Sequence, residues 1–121
     1  MKLKRVRIII QPLEGLKKEW KRALKGELKG SHKRGVIIFP TVETLGKVLS
    51  PARLEILTVI LKERPKSIYA LAKLVGRDFK NVHSDVRLLA DVGLVELRSS
   101  GKRDAVVPVA LYSGLDLDLA A

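Results

Sequence analysis

A chain of 121 residues has room for one domain around a modest core, and 46% apolar but only 4% aromatic residues make that a Leu/Val/Ile/Ala core. No apolar run approaches the roughly 18–20 residues of a membrane span, the opening MKLKRVRIIIQP lacks the cleavage site of a signal peptide, and the absence of cysteine excludes disulfides and thiolate metal sites, as expected of a cytoplasmic protein. The net charge of +11 points to a polyanionic partner, most often nucleic acid, the alternative being a solvated basic surface.

The charge excess is concentrated at the start, where residues 1–49 carry 13 basic and 4 acidic side chains. KLKRVRIII (2–10) reads as a basic strand. Pro12 suits a first helical turn, and Leu13, Leu16, Trp20, Ala23, Leu24 and Leu28 then recur at helical spacing opposite Lys17, Lys18, Lys21, Arg22 and Lys25. GSHKRG (30–35) is a loop by composition, and VIIFP (36–40) a short strand stopped by proline. Residues 41–49 hold about two helical turns with Thr41 as N-cap.

Ser50-Pro51 starts a helix whose apolar face is Leu54, Leu57, Ile60 and Leu61, and Arg64-Pro65 ends it. Ser67 caps a second helix, IYALAKLVG, closed by Gly76. Asp78 caps a third, which runs to about Val92, buries Val82, Val86, Leu89 and Ala90, and packs Phe79 near its start. LVELR (94–98) and AVVPVALY (105–112) flank the polar tip SSGKRD and form a β-hairpin. The tail alternates Leu115, Leu117 and Leu119 with Asp116 and Asp118, as a half-buried strand does.

Three helices, with a short turn between the second and third, followed by a hairpin are the winged-helix arrangement. Ala72, Gly76 and Val82 sit where two helices cross closely. The expected fold is therefore α+β: a winged helix-turn-helix at 50–112, preceded by a basic strand-helix-strand extension at 1–49 and followed by a strand at 113–121.

The stretch from Arg53 to Leu97 resembles a family of small prokaryotic winged-helix proteins described as DNA-binding transcriptional regulators, broadly of the MarR and ArsR types. The resemblance rests on Gly76-Arg77-Asp78, Lys80-Asn81-Val82-His83, Asp85-Val86 and Gly93-Leu94-Val95-Glu96-Leu97. It extends to Phe39-Pro40, Leu49-Ser50-Pro51, Pro108 and Tyr112, about two thirds of the chain, and matches 1–35 only in outline. It implies sequence-specific DNA binding. Some proteins of this kind resemble the antitoxin half of toxin–antitoxin pairs, which implies a toxin as protein partner.

The third helix is the element expected in the major groove. Lys80, Asn81, Ser84 and Arg87 face outward near its start, with His83 beside them. Asn and Arg make bidentate contacts to adenine and guanine edges, each worth ~1–3 kcal/mol of discrimination. Lys80 suits a phosphate or a guanine. His83 is either a base or phosphate contact or a partly buried helix residue. Tyr69 meets phosphate or packs, and Ser67 is a cap first and a phosphate ligand second. Asp85 repels phosphate and is expected to pair with a basic neighbour. At the wing tip, Lys102 and Arg103 suit backbone or minor-groove contact; the alternative is a solvated loop.

Leu16, Trp20 and Leu24 are read as packing within the chain or across a dimer. Leu115 and Leu117 belong to a terminal strand expected to pair with the N-terminal one, setting Asp116 and Asp118 beside Lys2, Lys4, Arg5 and Arg7 and burying Leu115, Leu117 and Leu119. Exchange of that strand between chains would tie two copies into a homodimer; pairing within one chain is the alternative. His32 and His83 without a third ligand are not a metal site. No cofactor motif and no catalytic constellation is visible, so an enzyme is not expected. Three readings remain: a dimeric regulator on a palindromic operator, an antitoxin-type module that binds a protein and autoregulates, and a non-specific nucleic-acid binder.

Overall fold

The structure is a computed structural model that describes residues 3–11, 35–101 and 105–119. Helices and strands are mixed. The described elements are β1 (Arg5–Ile10), β2 (Val36–Phe39), α1 (Val42–Val48), α2 (Pro51–Glu63), α3 (Ile68–Val75), α4 (Phe79–Asp91), β3 (Val95–Ser99), β4 (Val106–Ala110) and β5 (Gly114–Asp118). The expected helix at 13–28, with Leu16, Trp20 and Leu24, lies outside the described residues.

Local chemistry fixes the helix starts. The side chains of Thr41, Ser50 and Ser67 accept hydrogen bonds from the backbone N–H groups of Thr44, Arg53 and Ala70, satisfying donors that a first turn leaves open. The ends are equally local. Arg64 closes α2 in a left-handed conformation (φ 45°) immediately before Pro65, and Gly76 closes α3 with φ 68°.

The strands form two sheets. β3 and β4 are an antiparallel hairpin in which Val95 faces Ala110 and Ser99 faces Val106. β1 is the centre of a three-stranded parallel sheet of order β2-β1-β5. Within β1, Val6 and Ile8 point into the core while Arg5 and Arg7 are exposed, the period-two pattern of a strand with unlike faces. The two arginines reach Asp116 and Asp118 on β5, each two positions beyond its own register partner. Arg5 lies across Gly114, where an added Cβ would sit 2.3 Å from its Nη1. A side chain at this position would make the Arg5 guanidinium shift.

This pairing brings opposite charges together as expected, and in this single chain it is made in the within-chain form. The reason is the path of the backbone. β4 ends beside the start of β1, and Ser113 bonds Leu3 and Lys4 directly: its Oγ donates to the Leu3 carbonyl at 3.1 Å and its N–H to the Lys4 carbonyl at 3.0 Å. Nor does pairing bury the whole leucine row. Leu115 is half-buried, but Leu117 is 49% exposed and Leu119 70%, because the strand forms a sheet edge.

One continuous core joins the sheet (Val6, Ile8, Ile37, Phe39), the helices (Ile56, Ile60, Leu71, Val82, Val86, Leu89) and the hairpin (Leu94, Val95, Ala110). The single apolar face expected for α2 is corrected here. Ile56 and Ile60 are the buried pair, and Leu54 is 40% exposed. The apolar arc of the helix is wider than the expected face and takes in Ile56. Ile56 and Ile60 are buried in the core, Leu57 and Leu61 are half-buried against it, and Leu54, Leu57 and Leu61 line a groove of about 180 Å³ with Leu94, Tyr112 and Leu115.

Candidate nucleic-acid interface

Two short helices and the turn between them position the residues of interest. α3 begins at Ser67, whose hydroxyl is engaged by the Ala70 N–H at 2.9 Å, so its first role is the cap. Gly76 donates to the carbonyls of Ala72 and Lys73, and the Arg77 N–H donates to Ala72, which folds the chain back towards α4. A Cβ at Gly76 would meet no atom within 4 Å, so the need for glycine there is one of backbone angle alone.

α4 starts at Asp78. The expected cap is corrected in one respect: Asp78 holds the N-cap position with extended backbone, but its side chain makes no capping hydrogen bond. Val82, Val86 and Leu89 are fully buried and fix the rotation of the helix. Lys80, Asn81, Ser84 and Arg87 are all exposed. Lys80, Ser84, Arg87 and Asp91 follow one another at i, i+4, i+7 and i+11, so they form a single outward stripe. Asn81 flanks it on one side and His83 on the other. Asp91 puts a negative charge at the far end, so a phosphate-lined partner fits the first two-thirds of the stripe better than the last turn.

His83 is exposed, which removes the partly buried alternative. Its ring centroid lies 5.7 Å from that of Phe79, which in turn lies 6.3 Å from that of Tyr69. Lys73 sets its ammonium 4.8 Å from the centre of the Tyr69 ring. Tyr69 is 59% exposed and Phe79 45%, so the packing expected of Phe79 is with exposed rings rather than with the core. Tyr69 thus combines a ring contact with a largely open position.

Asp85 pairs with basic neighbours as expected, and with two of them. Arg53 Nε donates to one carboxylate oxygen at 3.1 Å and Arg77 Nη2 to the other at 2.9 Å. Arg53 also donates through Nη1 to the carbonyls of Lys47 and Val48 at the end of α1. The cluster therefore ties α1, α2, the turn and α4 together behind the outward stripe. Sequence reasoning missed Arg53 because 32 residues separate it from Asp85 and no local spacing marks the pair.

At the hairpin tip, Ser100 donates its N–H to the Ala105 carbonyl at 3.0 Å and Gly101 has φ 78°. Lys102 and Arg103 lie outside the described residues. Among the described residues no group of three or more His, Asp or Glu is placed to hold a metal ion, and no helix is long and apolar enough to cross a membrane.

A fold of mixed helices and strands that carries an exposed polar helix face with two basic residues, Lys80 and Arg87, behind a tight helix–helix turn is the setting for the comparison with known families. Residues 48–117, from the end of α1 through most of β5, match the HVO_A0114 family, and the chain belongs to that family. No curated protein and no solved structure matches the chain.

Proposed function

We propose that this protein is a sequence-selective, duplex-DNA-binding transcriptional regulator built on a winged helix. In this reading α3 and α4 are the helix-turn-helix, β3 and β4 the wing, and α4 the element that enters the major groove. The observation that carries the proposal is the outward stripe of α4. Its Lys80, Asn81, Ser84 and Arg87 are exposed together, on a helix whose opposite side is locked by three fully buried residues. These are the residue types that combine phosphate contact with base-edge readout. The net charge of +11 supplies the long-range attraction to a polyanion.

We also propose that it acts as a homodimer on a roughly palindromic site, since two-fold proteins read two-fold operators. Support comes from apolar side chains left open around one groove: Val42, Leu54 and Leu117 are exposed, with Ile8, Leu45 and Leu115 beneath them.

The test is selection of duplexes from a randomised library with the full chain, followed by anisotropy titration of the enriched duplex against a scrambled one. The proposal expects enrichment of a defined motif and tighter binding to it by at least about 10³. Equal affinity for both duplexes would reduce the protein to a phosphate-driven, non-specific binder.

A further inference from the structure

Phe79 is the first residue of α4 and, at 45% exposed, leaves much of an aromatic ring open to water. An isolated exposed apolar residue needs no explanation. Phe79 is not isolated: its ring sits between those of Tyr69 and His83, at the N-terminal end of the helix that the proposed function sends into the groove. The two neighbouring rings tilt against it at 49° and 40° and restrict where it can swing. Lys73 over the Tyr69 ring anchors the outer side of the cluster. Contact with two rings favours this position of Phe79 before any partner arrives, which lowers the side-chain freedom lost on contact.

What such a ring recognises follows from the chemistry of the groove. The major-groove edges of A, G and C offer donors and acceptors only, whereas thymine alone adds an apolar group, its C5-methyl. An apolar ring has no hydrogen bond to offer, and a methyl group is the one feature it can match. Insertion between base pairs fits less well, because side-chain wedges act from the minor groove and the rings on either side clamp Phe79.

We propose that Phe79 is a specificity-determining residue that reads the C5-methyl of a thymine in each half-site, while Lys80 and Asn81, on other sides of the same first turn, read polar edges. This rests on the duplex-DNA reading of α4 and sharpens it, since it predicts a required thymine at a fixed place in the selected motif.

The experiment uses the full chain and the duplex enriched from the randomised library. Each thymine is replaced singly by deoxyuridine, which removes the methyl group and leaves base pairing intact. The expected result is a loss of about threefold to fivefold at one thymine per half-site, the size of one buried methyl group, and no effect elsewhere. Phe79→Ala should bind the thymine duplex more weakly by a similar factor and lose the distinction between thymine and deoxyuridine. Thermal melting of this variant should fall only slightly and stay cooperative, since the ring is 45% exposed and what is lost is its contact with Tyr69 and His83. If the wild-type protein binds the enriched duplex but no deoxyuridine substitution matters, the inference fails while DNA binding stands. The inference also fails if Phe79→Ala keeps the full thymine preference. If no duplex is enriched, the DNA reading fails and takes this inference with it. The deoxyuridine series on the wild-type chain needs no variant to fold.

Discussion

At the scale of single residues, the proposed interface separates into side chains that face outward and side chains that hold them there. Asn81 and Arg87 are of the first kind. Their replacement by Ala should weaken binding to the selected duplex by about 1–3 kcal/mol each and leave binding to a scrambled duplex nearly unchanged. Equal losses on both duplexes, measured at one salt concentration, would leave these residues a phosphate role only. Asp85 is of the second kind. Two guanidiniums share its carboxylate, and its side chain is only 13% exposed. Asp85→Ala strands two positive charges in a partly buried site and should cost about 2–4 kcal/mol. A melting point within a degree or two of the parent would show that the cluster is solvated and contributes little. Tyr112 behaves differently. Burial raises its phenol above the ordinary tyrosine range. The unfolded chain then ionises first as pH rises past about 10, so the native state binds more protons there and stability falls with pH. Urea melts at pH 8 and above pH 10 check the sign.

At the scale of elements, what could be read from sequence depended on the distance over which each signal acts. Thr41, Ser50 and Ser67 announce their helices because capping is a contact between near neighbours, and all three cap as expected. The buried face of α4 was legible because one side is apolar and the other polar. α2 was legible only in part, because its apolar arc is wide and periodicity alone does not say that its centre lies at Ile56 and Ile60 and its edge at Leu54. The exposure of Phe79 was equally hidden, since an aromatic at a helix start reads as packing until its neighbours are known. The turn between α3 and α4 makes a direct prediction. Gly76→Ala forces a side chain into φ 68° with free space around it, so the cost should be near 1 kcal/mol, from backbone angle alone. A loss of several kcal/mol would mean that the turn tolerates no adjustment and that α4 is displaced with it.

At the scale of the whole molecule, the terminal strands show both the reach and the limit of sequence reasoning. Alternating charges forecast that β1 and β5 pair, and Arg5–Asp116 and Arg7–Asp118 bear this out. Pairing within the chain, in parallel, follows from the route of the backbone through Ser113, which no local pattern encodes. The exposed Leu117 then becomes an outer surface instead of a core residue. If the groove around it joins two copies, Leu117→Asp should turn a dimer into a monomer in light scattering at micromolar concentration and leave the fold unchanged by circular dichroism. A dimer that survives the substitution would place the clasp elsewhere. The most direct test of the central claim, that the outward face of α4 meets duplex DNA, is a map of backbone amide shifts as the selected duplex is titrated into the labelled full chain. The account predicts that the largest changes fall at residues 79–87 and 67–69, with the far side of the core undisturbed. Changes confined to residues 1–49, with α4 silent, would contradict it.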